Sequence, residues 1–231
     1  DHVTFRYPGM EHPALDDVSF TVKPGMIVGL VGPSGGGKST AAAMIPRFWD
    51  VQSGSVKIGG VDVRQMNSRD LMSRVAFVFQ DTKLFKTSIL ENIRMARPKA
   101  TIEEVKAAAK AARCDDILEK LPQGLDTVVG TRGVYLSGGE AQRIALARAI
   151  LKDAPIIVLD EASAFADPEN EALIQKAFEE LTKDKTVLMI AHRLSTIRNA
   201  NDILVMEKGK LAEWGSHEEL MKHCSEYREI S

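Results

Sequence analysis

Clustered positive charge is missing from this 231-residue chain, where 30 Lys and Arg against 32 Asp and Glu give a formal net charge of −2. No dense basic run occurs, which argues against DNA or RNA as the main partner, because binding a phosphate backbone draws on grouped cations. Cysteine is scarce as well. Cys114 and Cys224 are the only two, and neither lies in a metal-ligand spacing, so the chain suits a reducing compartment and holds no disulfide framework. No apolar stretch approaches the ~18 residues of a membrane-spanning helix, and no secretory signal is visible. The chain therefore does not cross a membrane itself. Internal repeats, low-complexity segments and sustained heptads are also lacking, which excludes solenoids and long coiled coils.

What is present suits a folded domain. Hydrophobic residues make up 44% of the chain, enough to bury a core as one domain or one domain with an appendage. The sequence opens on Asp1 rather than on methionine, and we read it as a segment of a longer polypeptide.

Val3, Phe5 and Tyr7 alternate with polar neighbours, and so do Val18, Phe20 and Val22, which predicts half-buried strands near the start. The run over 26–31 is uniformly apolar, as are 75–79, 156–159 and 186–190, the pattern of strands covered on both faces. Helical patterns lie between them. The expected fold is therefore α/β with a mainly parallel sheet. The stretch 85–152 lacks strand patterns and reads as a helical insert, leaving about 1–84 and 153–231 for the sheet domain. Within the insert, Thr101 and Glu104 form a capping box that opens an alanine-rich helix through about Ala112. Near the end, 203–206 and 210–213 flank a turn through Gly209, a hairpin pattern. Ser216 and Glu219 form a capping box for a last helix.

Gly32-Pro33-Ser34-Gly35-Gly36-Gly37-Lys38-Ser39-Thr40 fits G-x-x-x-x-G-K-[ST] and directly follows the apolar run that ends at Val31. Strand, glycine-rich turn and helix in that order form the phosphate-binding loop of nucleoside triphosphatases. Its glycines let backbone N–H groups turn inward around a phosphate. Lys38 reaches the β- and γ-phosphates, and the Ser39 hydroxyl is a ligand for Mg²⁺. A second motif, Leu136-Ser137-Gly138-Gly139-Glu140-Ala141-Gln142-Arg143, begins another helix. Ser137 and Glu140 are a capping box for a helix running to about Lys152, with Ile144, Ala147 and Leu151 at apolar spacing. Capping does not explain Gly138 and Gly139, each of which costs ~1 kcal/mol of helix propensity. Two glycines there leave N–H groups bare for the approach of an anion.

Together with the phosphate loop before it and Ile156-Ile157-Val158-Leu159-Asp160-Glu161 after it, this second motif resembles the ATP-binding-cassette (ABC) ATPases, the nucleotide-binding domains of ABC transporters. The likeness covers nearly the whole chain, with the motifs in the family's order. It implies a P-loop core with an N-terminal antiparallel β-subdomain and a helical insert carrying the second motif. It also implies ATP and Mg²⁺ as cofactors. Tyr7 matches the aromatic residue that stacks on adenine. Gln80 matches the glutamine that touches Mg²⁺ and the attacking water, and Asp160 matches the carboxylate that holds the metal. Glu161 matches the general base, and His192 the histidine that contacts the γ-phosphate. Ser137, Gly138, Gly139 and Glu140 would bind the nucleotide held by a second copy of the domain, in a homodimer or heterodimer.

The stretch from Phe79 to Ile93 resembles the exporter-type subfamily, in which one polypeptide carries a transmembrane domain followed by this ATPase. That places the domain on the cytoplasmic face of a membrane. Two departures stand out. Where the family commonly has Ser-Ala-Leu-Asp, this chain has Ala164-Phe165-Ala166-Asp167, a variant similar to that of exporter-folded proteins that import iron–siderophore complexes. Where exporters often carry a glutamate before the second motif, this chain has Thr131-Arg132-Gly133, so contact with the membrane domain is expected to be made differently. An ABC-type ATPase of DNA repair or chromosome organisation is the first alternative, disfavoured by the lack of heptads. The other is a regulatory module that binds without hydrolysing, disfavoured because Glu161 and His192 are both present.

Overall fold

A computed structural model describes residues 1–79, 81–130, 134–160 and 167–230. Gln80, Glu161, the stretch 131–133 and the Ala164-Phe165-Ala166 part of the variant motif lie outside the described residues. Ten strands alternate with helices along the described chain: β1 Val3–Phe5, β2 Leu15–Val18, β3 Ile27–Val31, β4 Lys57–Ile58, β5 Val61–Asp62, β6 Val75–Val78, β7 Ile156–Asp160, β8 Thr186–Ile190, β9 Asp202–Glu207 and β10 Lys210–Gly215. The helices are α1 Lys38–Met44, α2 Ser68–Arg74, α3 Ile89–Arg94, α4 Ile102–Ala111, α5 Asp115–Lys120, α6 Gly138–Lys152, α7 Pro168–Thr182, α8 Leu194–Ile197, α9 His217–His223 and α10 Ser225–Ile230.

Packing divides the chain into two units. The first comprises Asp1–Phe77, Pro155–Glu161 and Lys185–Ser231; the second comprises Val78–Ala154 and Ala162–Asp184. The first is built on a six-stranded sheet in the order β10-β9-β3-β8-β7-β6. β3 pairs in parallel with β8 and β9, β7 pairs in parallel with β8, and β10 closes one edge antiparallel to β9. The central strands are buried along most of their length, which is why they read as unbroken apolar runs. Two small antiparallel sheets, β1–β2 and β4–β5, complete this unit. The β4–β5 turn is Gly59-Gly60, both at positive φ, a two-residue hairpin whose signature the sequence carried openly.

The second unit is helical. Thr101/Glu104 and Ser137/Glu140 both close reciprocal capping boxes, and Asp167 caps α7 with Pro168 at its first position. α6 packs against α3, α4 and α7. α7 thus groups with the helical unit, whereas the sequence reading kept 153–231 with the sheet. One expected strand is shorter than its pattern: β2 ends at Val18, and residues 19–23 take no regular structure although Phe20 and Val22 alternate inward.

Candidate functional site

In the sheet-bearing unit, the parallel strands bring their carboxyl ends to one edge, where the loops that follow them carry the chemistry of open α/β sheets. Leu30 and Asp160 both pair with Ile190, so β3, β7 and β8 end almost level. The Gly32–Thr40 loop leaves β3 and is threaded tightly between neighbouring backbones. Gly32 sits at φ +141°, and a Cβ there would stand 2.0 Å from the Met206 carbonyl oxygen. Gly37 sits at φ +98°, with its would-be Cβ 2.7 Å from the Ala14 oxygen. Glycine at both positions is a steric requirement, not a preference. Ser34 and Gly35 are exposed at the top of the loop, and Gly36 is buried.

Lys38 opens α1 and is only 5% exposed. Its ammonium donates to the Gly32 and Pro33 carbonyl oxygens at 2.7 and 2.8 Å, so it lies back across the loop. Burial pulls its pKa below the usual lysine value, with nearby Asp160 acting the other way. The next residue, Ser39, donates to Asp160 Oδ2 at 3.2 Å. Asp160 Oδ1 is buried and has no hydrogen-bond partner among the described residues. Burial pushes the Asp160 pKa up, opposed by the Ser39 hydrogen bond and by the proximity of His192 and Lys38. A hydroxyl and a buried carboxylate side by side form a hard-oxygen donor set, which fits Mg²⁺. His192 is exposed and follows Ala191, whose N–H donates to the Leu30 oxygen at 3.0 Å.

Tyr7 joins this loop by a contact that the sequence did not reveal. Its hydroxyl lies 3.0 Å from Thr40 Oγ1. Phe5 and Trp49 meet its ring at near right angles, with centroids 4.9 and 5.4 Å away. The ring is half-buried, and an aromatic corner sets its orientation.

In the helical unit, the second motif begins α6. The Ser137 hydroxyl accepts from the Glu140 N–H at 3.2 Å, and the Glu140 carboxylate accepts from the Ser137 N–H at 2.9 Å. Gly138 is exposed, but Gly139 is buried against Asn170, where a Cβ would stand 3.1 Å from the amide carbon. Gly139 thus has a packing reason of its own. Asn170 also accepts from Arg143 at 2.9 Å and donates to Asp167 at 2.8 Å. Arg143 is 1% exposed; it donates to the Arg113 carbonyl and forms a two-pronged pair with Asp116 at 2.6 and 3.0 Å. Sequence reasoning missed this network. Its one local signal was an arginine adjoining the apolar face of α6, next to Ile144.

Comparison with known proteins bears on the same residues. The ABC transporter family matches residues 15–164. The mycobactin import ATP-binding/permease protein IrtA of Mycobacterium tuberculosis is 50% identical over 98% of this chain. An ATP-dependent lipid A-core flippase of Methylobacillus flagellatus is 49% identical over the whole chain. The chain spans 26% and 40% of the lengths of these two relatives. A solved structure of a bacterial Atm1-family ABC exporter with ATP bound superposes on all of the chain, with a TM-score of 0.91 and 42% identity, and the chain covers 40% of it.

Proposed function

The chain belongs to the ABC transporter family as an ATP-binding ATPase domain, and from that premise we propose that it drives transport by closing with a second such domain around two ATP molecules. In this reading Lys38 grips the β- and γ-phosphates within the Gly32–Thr40 loop. Mg²⁺, which Ser39, Asp160 and Gln80 would hold, would offset the charge that builds up on the phosphates during transfer. Glu161 takes the proton of the attacking water, and His192 contacts the γ-phosphate. Tyr7 stacks on the adenine. The observation that carries the proposal is the Ser39–Asp160 pair, whose Asp160 Oδ1 has no partner among the described residues, one residue from the buried Lys38.

The Ser137-Gly138-Gly139 turn gives the domain a second anion site, with Glu140 fixing its capping box. One two-fold axis that set this turn against the other copy's Lys38 loop would create two equivalent sites. ATP would then be part of the interface, and its hydrolysis would release it, moving an attached transmembrane domain from the cytoplasmic face of the membrane. Among the described residues, no helix is long and apolar enough to cross a membrane, so that domain belongs to the same or a partner polypeptide. An importer and a flippase match the chain at nearly equal identity, and identity alone favours neither direction of transport.

The test is assembly. Glu161→Gln with ATP and Mg²⁺ should sediment as a dimer, with turnover about 10²–10⁴-fold below wild type, the usual worth of a positioned general base. Adding Ser137→Arg should return it to monomer. A Glu161→Gln protein that stays monomeric at saturating ATP, or a double variant that still dimerises, refutes the shared site.

A further inference from the structure

Tyr7 stands where the backbone leaves the sheet. β1 ends at Phe5, and a Pro8-Gly9 turn follows, with Gly9 at φ +79° and the Met10 N–H donating to the Tyr7 oxygen at 3.1 Å. A side chain on such a corner needs support from outside its own strand, and the segment 49–53 supplies it. Thr4 and Ser53 form an antiparallel bridge. The Thr4 N–H donates to the Ser53 oxygen at 3.2 Å, and the Gln52 N–H donates to the Thr4 oxygen at 3.1 Å. Continued by two residues, that ladder would set Arg6 against the backbone of Val51. The Gln52 side chain takes the place instead: the Arg6 N–H donates to Gln52 Oε1, and Gln52 Nε2 donates to the Arg6 oxygen, each at 2.9 Å. One side-chain amide thus replaces a backbone pair, and the chain over 49–51 is released from the ladder. It carries Trp49 onto the Tyr7 ring, with centroids 5.4 Å apart and the planes at 90°.

Trp49 reaches this place through the exit of α1. The helix ends at Met44, Arg47 takes a left-handed conformation at φ +59°, and the Phe48 N–H donates back to the Ala43 oxygen at 3.1 Å. Arg47 then grips Asp50 with two prongs, at 2.6 and 3.1 Å, which brackets Phe48 and Trp49 between them. Trp49 remains 43% exposed, and its covered part meets Tyr7 and, at 5.7 Å, Phe5. Neither Phe5 nor Trp49 lies parallel to the Tyr7 ring, so neither uses the stacked arrangement that a flat base adopts. We propose that Trp49 and Gln52 are positioning residues for the nucleotide base. Gln52 pins the Tyr7 corner to the sheet, and Trp49 holds the Tyr7 ring in the orientation on which adenine stacks. α1 would then serve both ends of the ligand, with Lys38 and Ser39 at the phosphates and Trp49, at its exit, behind the base platform. This inference rests on the reading of Tyr7 as the residue that stacks on adenine. A ring that samples other orientations binds with an affinity reduced to the fraction of time it stands correctly. An edge-to-face aromatic contact biases such an equilibrium about two- to tenfold.

Comparing ATP with inorganic tripolyphosphate, which has no base, tests this in the full-length protein, with metal chelated to prevent hydrolysis. Trp49→Leu and Gln52→Ala should each raise the Kd for ATP about two- to tenfold and leave that for tripolyphosphate unchanged. Trp49→Phe keeps an aromatic edge against Tyr7 and should recover most of the loss. Gln52 is exposed, so its replacement reads the same effect if Trp49→Leu does not fold. Combined with Tyr7→Ala, neither substitution should weaken ATP further, because no ring is left to orient. Failures are distinguishable. A Tyr7→Ala protein with intact ATP affinity overturns the stacking reading and this inference with it. If Tyr7→Ala weakens ATP while Trp49→Leu and Gln52→Ala do not, the positioning role alone is overturned. Equal losses for ATP and tripolyphosphate, or a further loss on top of Tyr7→Ala, also overturn it, since the two residues would then shape the phosphate loop or touch the base themselves.

Discussion

The buried Arg143–Asp116 pair allows a prediction that runs against side-chain size. Arg143→Met removes the larger group, yet the structure makes it the milder change. The Asp116 side chain is 41% exposed, so water can resolvate its carboxylate once the guanidinium is gone. The Arg113 carbonyl and Asn170 each lose a donor, at about 1 kcal/mol apiece, and the methionine keeps most of the apolar contact, for a total near ~2 kcal/mol. Asp116→Ala leaves a guanidinium that is 1% exposed facing only neutral acceptors. An uncompensated buried charge costs roughly 3–5 kcal/mol. Asp116→Ala should therefore unfold at lower urea than Arg143→Met, and the double variant should recover part of the difference. Urea titration by circular dichroism at neutral pH, with unchanged slope, reads all three. Acidity should bring wild type closer to both single variants. The hydrogen bond from Arg143, then its charge, holds the Asp116 carboxyl below its usual range. A depressed carboxyl pKa contributes stability that is present above the unfolded-state pKa of ~3.9 and lost as pH falls through the lower folded value. An Asp116→Ala protein no weaker than Arg143→Met, or a double variant whose loss equals the sum of the singles, would refute the reasoning.

Two further outcomes follow from the nucleotide loop. Tyr7→Phe should weaken ATP binding by no more than about 1 kcal/mol, because it loses only the hydroxyl contact with Thr40. Tyr7→Ala should cost roughly 1–3 kcal/mol and affect ATP and GTP alike, since stacking reads no base edge; fluorescent-nucleotide titration distinguishes the two. Because burial raises the Asp160 pKa, Mg²⁺ affinity should begin to fall at a higher pH than for an ordinary exposed carboxylate as the solution is acidified. Calorimetric titration of Mg²⁺ into the ATP complex at stepped pH, with Asp160→Asn lacking the dependence, checks this.

Local patterns carried most of the fold, because their physics is local. The run over 26–31, the glycine loop and the boxes at Thr101, Ser137 and Ser216 each concern residues a few positions apart, and each has its counterpart in the structure. Contacts between distant segments were illegible. Nothing in the sequence ties Tyr7 to Thr40, or places Asn170 against Gly139, since both depend on how separate elements meet. The case of Phe20 and Val22 is different. Their alternation is that of a strand, yet a strand needs a neighbour to pair with, and periodicity does not report whether one is at hand. Glu161 and Gln80 were named from the family resemblance alone and lie outside the described residues, so their roles rest on the kinetics and assembly of their variants.

Two neighbouring groups in the sheet-bearing unit are shifted in opposite senses for the same reason. Burial disfavours the charged form of each, lowering the pKa of Lys38 and raising that of Asp160. Their mutual attraction opposes both shifts without being the leading cause of either. A phosphate beside Lys38 would favour its cationic form, and a divalent cation beside Asp160 would favour its anionic form. The two charges that make up a magnesium–nucleotide complex are thus the ones that relieve both penalties, and they do so together. Binding nucleotide without metal should relieve Lys38 alone and leave the Asp160 carboxyl raised. Metal without nucleotide should do the reverse, against the repulsion of Lys38. The affinity for each should therefore rise in the presence of the other, and by equal factors, as linkage requires. Unequal factors would break the thermodynamic cycle, and factors of one would show that Lys38 and Asp160 serve separate ligands.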